Sequence, residues 1–159
     1  MLALIIKNGL CYIDKDLKDQ DIAIKEGKII KIGKIDNDAK EIFDAKGLTV
    51  LPGCIDTQTH FREPGSTDTE DLHSGSRAAI AGGITSVFEM PNTNPPTSNK
   101  KEFQRKLDLA KNRMYCNYAF YFGATADNAD DLASLKDLEG CCGIKLFAGS
   151  STGNLLVAE

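Results

Sequence analysis

The segment Asp56-Thr57-Gln58-Thr59-His60 sets an acid, an amide and an imidazole at alternate positions. Alternate residues of a strand share a face, so an extended backbone points all three together. In α/β folds, active sites form at the C-terminal ends of parallel strands. His60 there is a reasonable metal ligand; the competing reading is a satisfied structural histidine. Arg62 sits on the loop that leaves the strand. Its guanidinium can grip a carboxylate through two parallel hydrogen bonds, or simply stand in water. Asn92, in Met90-Pro91-Asn92-Thr93, offers an amide donor and acceptor at a second strand end, although Asn-Pro-rich loops are also common turns. Lys145 lies inside the apolar run Ile144-Lys145-Leu146-Phe147. An unpaired ammonium is costly to bury, so this lysine is at an edge, paired or chemically modified. A carbamylated lysine is an acidic ligand able to bridge two metals. Gly149-Ser150-Ser151-Thr152-Gly153 is not a P-loop, because Asn154 follows the last glycine where Lys-Ser/Thr is required.

These residues need a scaffold, and the chain has the composition for one. It has 159 residues, 42% hydrophobic and 26% charged, which is ordinary globular material. Nineteen Lys and Arg against 23 Asp and Glu give a formal charge of −4, which argues against a nucleic-acid binder. No apolar run approaches the ~18 residues of a membrane span, and the apolar stretch of MLALIIKNGL is too short, with no basic segment before it, for a signal peptide. Cysteines 11, 54, 116, 141 and 142 form no zinc-finger spacing and read as reduced thiols of a cytoplasmic protein.

Residues 1–49 read as a small β unit of meander or sandwich type, with a hairpin over 21–33 turning at Glu26-Gly27. From Leu51-Pro52-Gly53 onward, strands alternate with helices. Strands are expected over 54–61, 85–92, 115–123 and 143–149. Helices are expected over 71–83, 101–113 and 130–138. In the second helix Phe103, Leu107 and Ala110 form an apolar stripe, and Asn99 and Glu102 stand at capping-box spacing. In the third, Leu132, Leu135 and Leu138 share a face. Four strands with three intervening helices imply a parallel sheet, either open and doubly wound or part of a (β/α)₈ barrel. The absence of GxGxxG after any strand removes the main sign of a dinucleotide fold.

Taken in order, Leu51-Pro52-Gly53, Asp56 to His60, Phe61-Arg62-Glu63-Pro64-Gly65, Met90-Pro91-Asn92-Thr93 and Gly143-Ile144-Lys145-Leu146-Phe147 resemble the N-terminal part of a dihydroorotase, in the amidohydrolase superfamily. Arg62 favours dihydroorotase over hydantoinases and allantoinases. The resemblance implies an α/β chain: a partial (β/α)₈ TIM-type barrel of about four strands over 50–159, beside the small β unit of 1–49. It implies a pyrimidine-biosynthesis enzyme that interconverts N-carbamoyl-aspartate and dihydroorotate, with a hydroxide between two zinc ions attacking the ring amide. By position, His60 and carbamylated Lys145 would hold zinc, and Arg62 and Asn92 the substrate carboxylate.

The family carries His-x-His on the first strand, and here Gln58 stands in place of the first histidine. Residues 50–159 also fall short of the ~250 residues of a whole barrel. His73, in the first helix, is not placed to supply a missing ligand. The expectation is therefore a chain that is inactive by itself. The alternatives are half of a split zinc enzyme completed by another chain, and a non-catalytic scaffold for aspartate transcarbamoylase; a pairing of two copies is a further expectation.

Overall fold

The computed structural model describes residues 1–149 and 155–157, so most of the Gly149–Gly153 stretch lies outside the described residues. The chain divides into two compact units, Met1–Pro52 and Gly53–Glu159.

The first unit is a five-stranded mixed sheet. Strands β1 (Leu2–Ile13), β2 (Asp16–Lys25) and β3 (Lys28–Gly33) run antiparallel in sequence order. The β2–β3 turn is the expected Glu26-Gly27 pair, with φ of 52° and 73°. Two consecutive left-handed residues give the turn whose twist matches a hairpin, and glycine takes one of them without strain. Strands β4 (Ala39–Asp44) and β5 (Thr49–Val50) both pair with β1 in parallel. Ile5, Ala23 and Ile35 form the small core of this unit.

The second unit is a curled half-barrel sheet of four parallel strands, β6 (Cys54–Thr59), β7 (Ile84–Glu89), β8 (Asn117–Gly123) and β9 (Cys141–Lys145), in that order. Helix α1 (Leu72–Ala81) joins β6 to β7, and α2 (Lys100–Ala110) joins β7 to β8. Phe61, Leu72, Val87, Phe103, Ala110, Cys116, Phe120, Phe122 and Leu135 make one continuous core between sheet and helices.

The local signals explain the helices. Asp71 caps α1: its Oδ1 accepts the Ser74 N–H at 2.6 Å, and Ser74 Oγ accepts the Asp71 N–H at 3.2 Å. At the other end Gly82 N–H donates to Ala78 O at 3.0 Å. Helix α2 starts at Asn99, whose side-chain oxygen accepts the Glu102 N–H at 2.9 Å.

The third connection departs from the expected α-helix over 130–138. It is a 3₁₀ segment, Ala126–Leu135. The Ala-Asp-Asn-Ala-Asp-Asp run that opens it is rich in side chains that compete for backbone groups. Asn128 does so directly, accepting the Thr125 N–H at 2.8 Å while its amide donates to Ser98 O and Gly123 O. The apolar pattern still did its work in packing: Leu135 is buried, and Leu132 and Leu138 lie against the core.

Candidate functional site

The C-terminal ends of the parallel strands carry the residues singled out by type and spacing. His60 is one residue beyond β6, Asn92 three beyond β7, and Lys145 is the last residue of β9. The ladder continues past β6 and β7, where Met90 N–H donates to Thr59 O at 2.9 Å. That bond holds the two strand ends together, and their side chains meet just beyond it.

The Asn92 side chain lies beside the His60 ring. Burial holds the His60 pKa below its usual 6.5, and the charges of Arg62, Lys106 and Lys145 push the same way, against the opposing effect of Asn92. Burial and these charges thus all disfavour the protonated imidazole. Arg62 reaches this place from a left-handed backbone, φ 59°, with its carbonyl accepting the Ser66 N–H at 2.9 Å. The next loop docks onto this one, Asn94 N–H donating to Pro64 O at 2.9 Å.

Lys145 is half-buried on the outermost described strand, with its ammonium 5.0 Å from the centre of the Phe147 ring. Gln58 is exposed, and the Asp56 carboxylate turns back to accept the Gln58 N–H at 2.9 Å. The structure thus brings His60, Arg62, Asn92 and Lys145 into one neighbourhood and leaves Gln58 facing water. His73 lies in α1, where its Nε2 is 3.3 Å from the Tyr115 hydroxyl.

The family to which the sequence points typically binds metal. Among the described residues no group of three His, Cys, Asp or Glu side chains gathers to hold an ion. One imidazole, one lysine and an exposed amide do not fit a two-metal centre.

Two ionisable residues of this region escaped the sequence reading. Glu89, at the end of β7, and Lys106, on the inner face of α2, are fully buried and form an ion pair. Lys106 Nζ also donates to Met90 O at 3.0 Å and lies 5.2 Å from the centre of the Phe120 ring. The Glu89 carboxylate lies beside the Phe61 N–H. Burial pushes the Glu89 carboxyl up to about 7, against the pull of Lys106, and burial lowers the Lys106 ammonium. The signal was present in the sequence: Lys106 interrupts the apolar stripe of Phe103, Leu107 and Ala110, and Glu89 ends a strand next to Met90. A charge on an apolar face calls for an opposite charge nearby.

A second pair steadies the loop after Arg62. Arg113 grips Glu63 with both nitrogens, at 2.8 and 3.1 Å, and Glu63 also accepts the Leu72 N–H at the start of α1, at 2.9 Å.

The relatives that comparison finds are an allantoinase and hydantoinases, and dihydroorotase in particular is not shown. The profile of the amidohydrolase family matches residues 49–144. An allantoinase of Escherichia coli O1:K1 is 40% identical over 148 residues, which is 92% of this chain and 32% of the relative. Among solved structures, the L-hydantoinase (dihydropyrimidinase) of Arthrobacter aurescens superposes with a TM-score of 0.90 at 29% identity, covering 100% of this chain and 36% of that one. The D-hydantoinase (dihydropyrimidinase) of a Thermus species gives 0.76 at 27% identity, covering 98% and 35%. The chain spans about a third of the length of the relatives it matches.

Proposed function

Since the chain belongs to the amidohydrolase family, we propose that its residues form the substrate-anchoring part of a cyclic-amide hydrolase acting on dihydroorotate and N-carbamoyl-aspartate. The observation that carries this reading is the pair of cations, Arg62 and Lys145, beside His60 and Asn92, Lys106 being neutralised by Glu89. Both ligands bear a carboxylate, which Arg62 and Asn92 would hold; the neutral rings of hydantoin and allantoin offer no such anion. Anchoring the ring is the role given to this stretch, and attack on the ring carbonyl is not. Accordingly, the 159 residues alone do not turn dihydroorotate over.

Completion of the site falls to further strands, from more of the same polypeptide or from another chain. The exposed Ile55 on β6 and Ile144 on β9 support that reading.

Calorimetric titration of the full chain tests it. N-carbamoyl-aspartate and dihydroorotate should bind, whereas hydantoin and allantoin should not. Arg62→Gln should weaken carboxylate binding about tenfold or more, the worth of a charge-assisted hydrogen bond. Equal binding of the neutral rings would refute the assignment. So would turnover of dihydroorotate that disappears in Lys145→Ala, since that would make this chain a working enzyme. Gln58→His restores an imidazole two residues before His60 and should raise zinc affinity; an unchanged affinity would remove position 58 from the ligand set.

A further inference from the structure

The Glu89–Lys106 pair spans the two strand ends that bear the candidate site. The Glu89 carboxylate lies beside the N–H of Phe61, the residue between His60 and Arg62, and Met90 N–H ties the end of β7 to Thr59 O at 2.9 Å. Lys106 holds the carbonyl of Met90, two residues before Asn92. A single ion pair thus reaches both loops, Lys106 by a hydrogen bond to Met90 O and Glu89 by its place beside Phe61.

Stability alone does not account for such a pair. Replacing a buried ion pair with apolar side chains is often neutral or stabilising, because two charges need not then be stripped of water. What apolar side chains cannot do is donate to a carbonyl and set a carboxylate beside an N–H at fixed points. The two placements set the distance between the His60–Arg62 corner and the Asn92 loop.

We propose that Glu89 and Lys106 are positioning residues, whose buried pair locks the loops after β6 and β7 in the register that brings His60 against Asn92 and beside Arg62. Neither touches the ligand. Lys106 acts from α2, so the helix on the outer side of the sheet governs the geometry at the strand ends. The value of this lock for substrate rests on the anchoring function proposed above, but the lock itself is read from the protein without ligand.

The chain has only two histidines, which makes the lock observable. The imidazole nitrogens of His60 and His73 are recorded by NMR in the full chain at pH 8 and assigned with His73→Gln. The informative variant is Glu89→Leu/Lys106→Met, which removes both backbone anchors and leaves no unpaired buried charge. A second variant, Glu89→Gln, keeps an oxygen for the Phe61 N–H. A third, Phe103→Leu, loosens the α2 core without touching either anchor.

In the Leu/Met double variant the His60 nitrogen resonances should move toward those of a free imidazole, with the His73 resonances unmoved. In Glu89→Gln the His60 shift should be smaller than in the double variant, and in Phe103→Leu it should be absent. A folded double variant with wild-type His60 resonances overturns the proposal. An equal His60 shift in Phe103→Leu also overturns it, because general loosening would then be the cause. Titration of wild type with N-carbamoyl-aspartate separates the two readings. If the His60 shift appears in the double variant but wild type binds no ligand, the lock stands and the anchoring function falls.

Discussion

Gly75 sits buried in the middle of α1, where two effects of opposite sign compete. Helix propensity alone favours Gly75→Ala by ~1 kcal/mol. Packing opposes it. A methyl group at this position would lie 2.6 Å from Phe61 Cδ1, 2.9 Å from Phe61 Cε1 and 3.0 Å from Glu70 Cδ. Phe61 belongs to the core and is 6% exposed, so its ring has little room to retreat. Overpacking of this kind costs ~1–3 kcal/mol, and two ring atoms inside contact distance argue for the upper half of that range. The net result is a loss of ~1–2 kcal/mol. Urea unfolding followed by tyrosine fluorescence reads it, since Tyr115, Tyr118 and Tyr121 all lie in the second unit. With an m-value of ~1–3 kcal/mol per molar, the midpoint should fall by ~0.5–1 M. Gly82→Ala is the control: its backbone has φ −87°, and the nearest atom to an added methyl is 3.5 Å away, so its midpoint should barely move. A Gly75→Ala chain as stable as wild type, or more so, would refute the packing argument and leave propensity as the winner.

Other outcomes follow from the ion pairs and the imidazole. Arg113→Met removes both hydrogen bonds from the nearly buried Glu63 carboxylate and should cost ~2 kcal/mol in the same unfolding assay; the exposed Arg105–Glu102 contact, broken by Arg105→Met, should cost under ~0.5 kcal/mol. His60 titrates below 6.5 when folded, chiefly through burial and then Arg62, so the unfolded chain takes up its proton first as pH falls. The His60 contribution to stability should therefore fall on acidification from pH 6.5 to the folded pKa, opposite in sign to that of Glu89, whose raised carboxyl takes up its proton first in the folded chain. His60→Gln should remove that contribution from the urea-midpoint profile; an unchanged slope would place the proton elsewhere.

Much of this was legible in the sequence because the signals were local. The Glu26-Gly27 turn, the Asp71 start of α1 and the Asn99 start of α2 each depend on residues a few positions apart. The strand ends bearing His60 and Asn92 were legible from apolar runs that stop at polar residues, whereas the strand of Lys145 was expected over 143–149 and runs over Cys141–Lys145. The parallel pairing of β1 with β4 and β5 was not, since nothing near Leu2 specifies a partner at Ala39. The 3₁₀ segment was misread because leucine spacing reports a buried face, whereas Asn128 and its neighbours decide which backbone hydrogen bonds form. The Glu89–Lys106 pair was missed because each charge, taken alone, passes for a solvated one. Dihydroorotase as opposed to its relatives rested on Arg62, a single side chain, while the order of several motifs carried the amidohydrolase family.

The pairing of β1 also bears on how the chain is made. Its antiparallel flank is filled by β2, which follows at once, and the β1–β2–β3 meander is complete in sequence at Gly33. The other flank waits for Ala39–Asp44 and then for Thr49–Val50. At ribosomal rates of ~5–20 residues per second, the interval from Gly33 to Val50 lasts about 1–3 s. Hairpins close in microseconds, so the meander can form long before its last strand exists. During that interval the nascent chain presents an open strand edge beside Leu4 and Ile6, and any extended neighbour emerging from an adjacent ribosome competes for it.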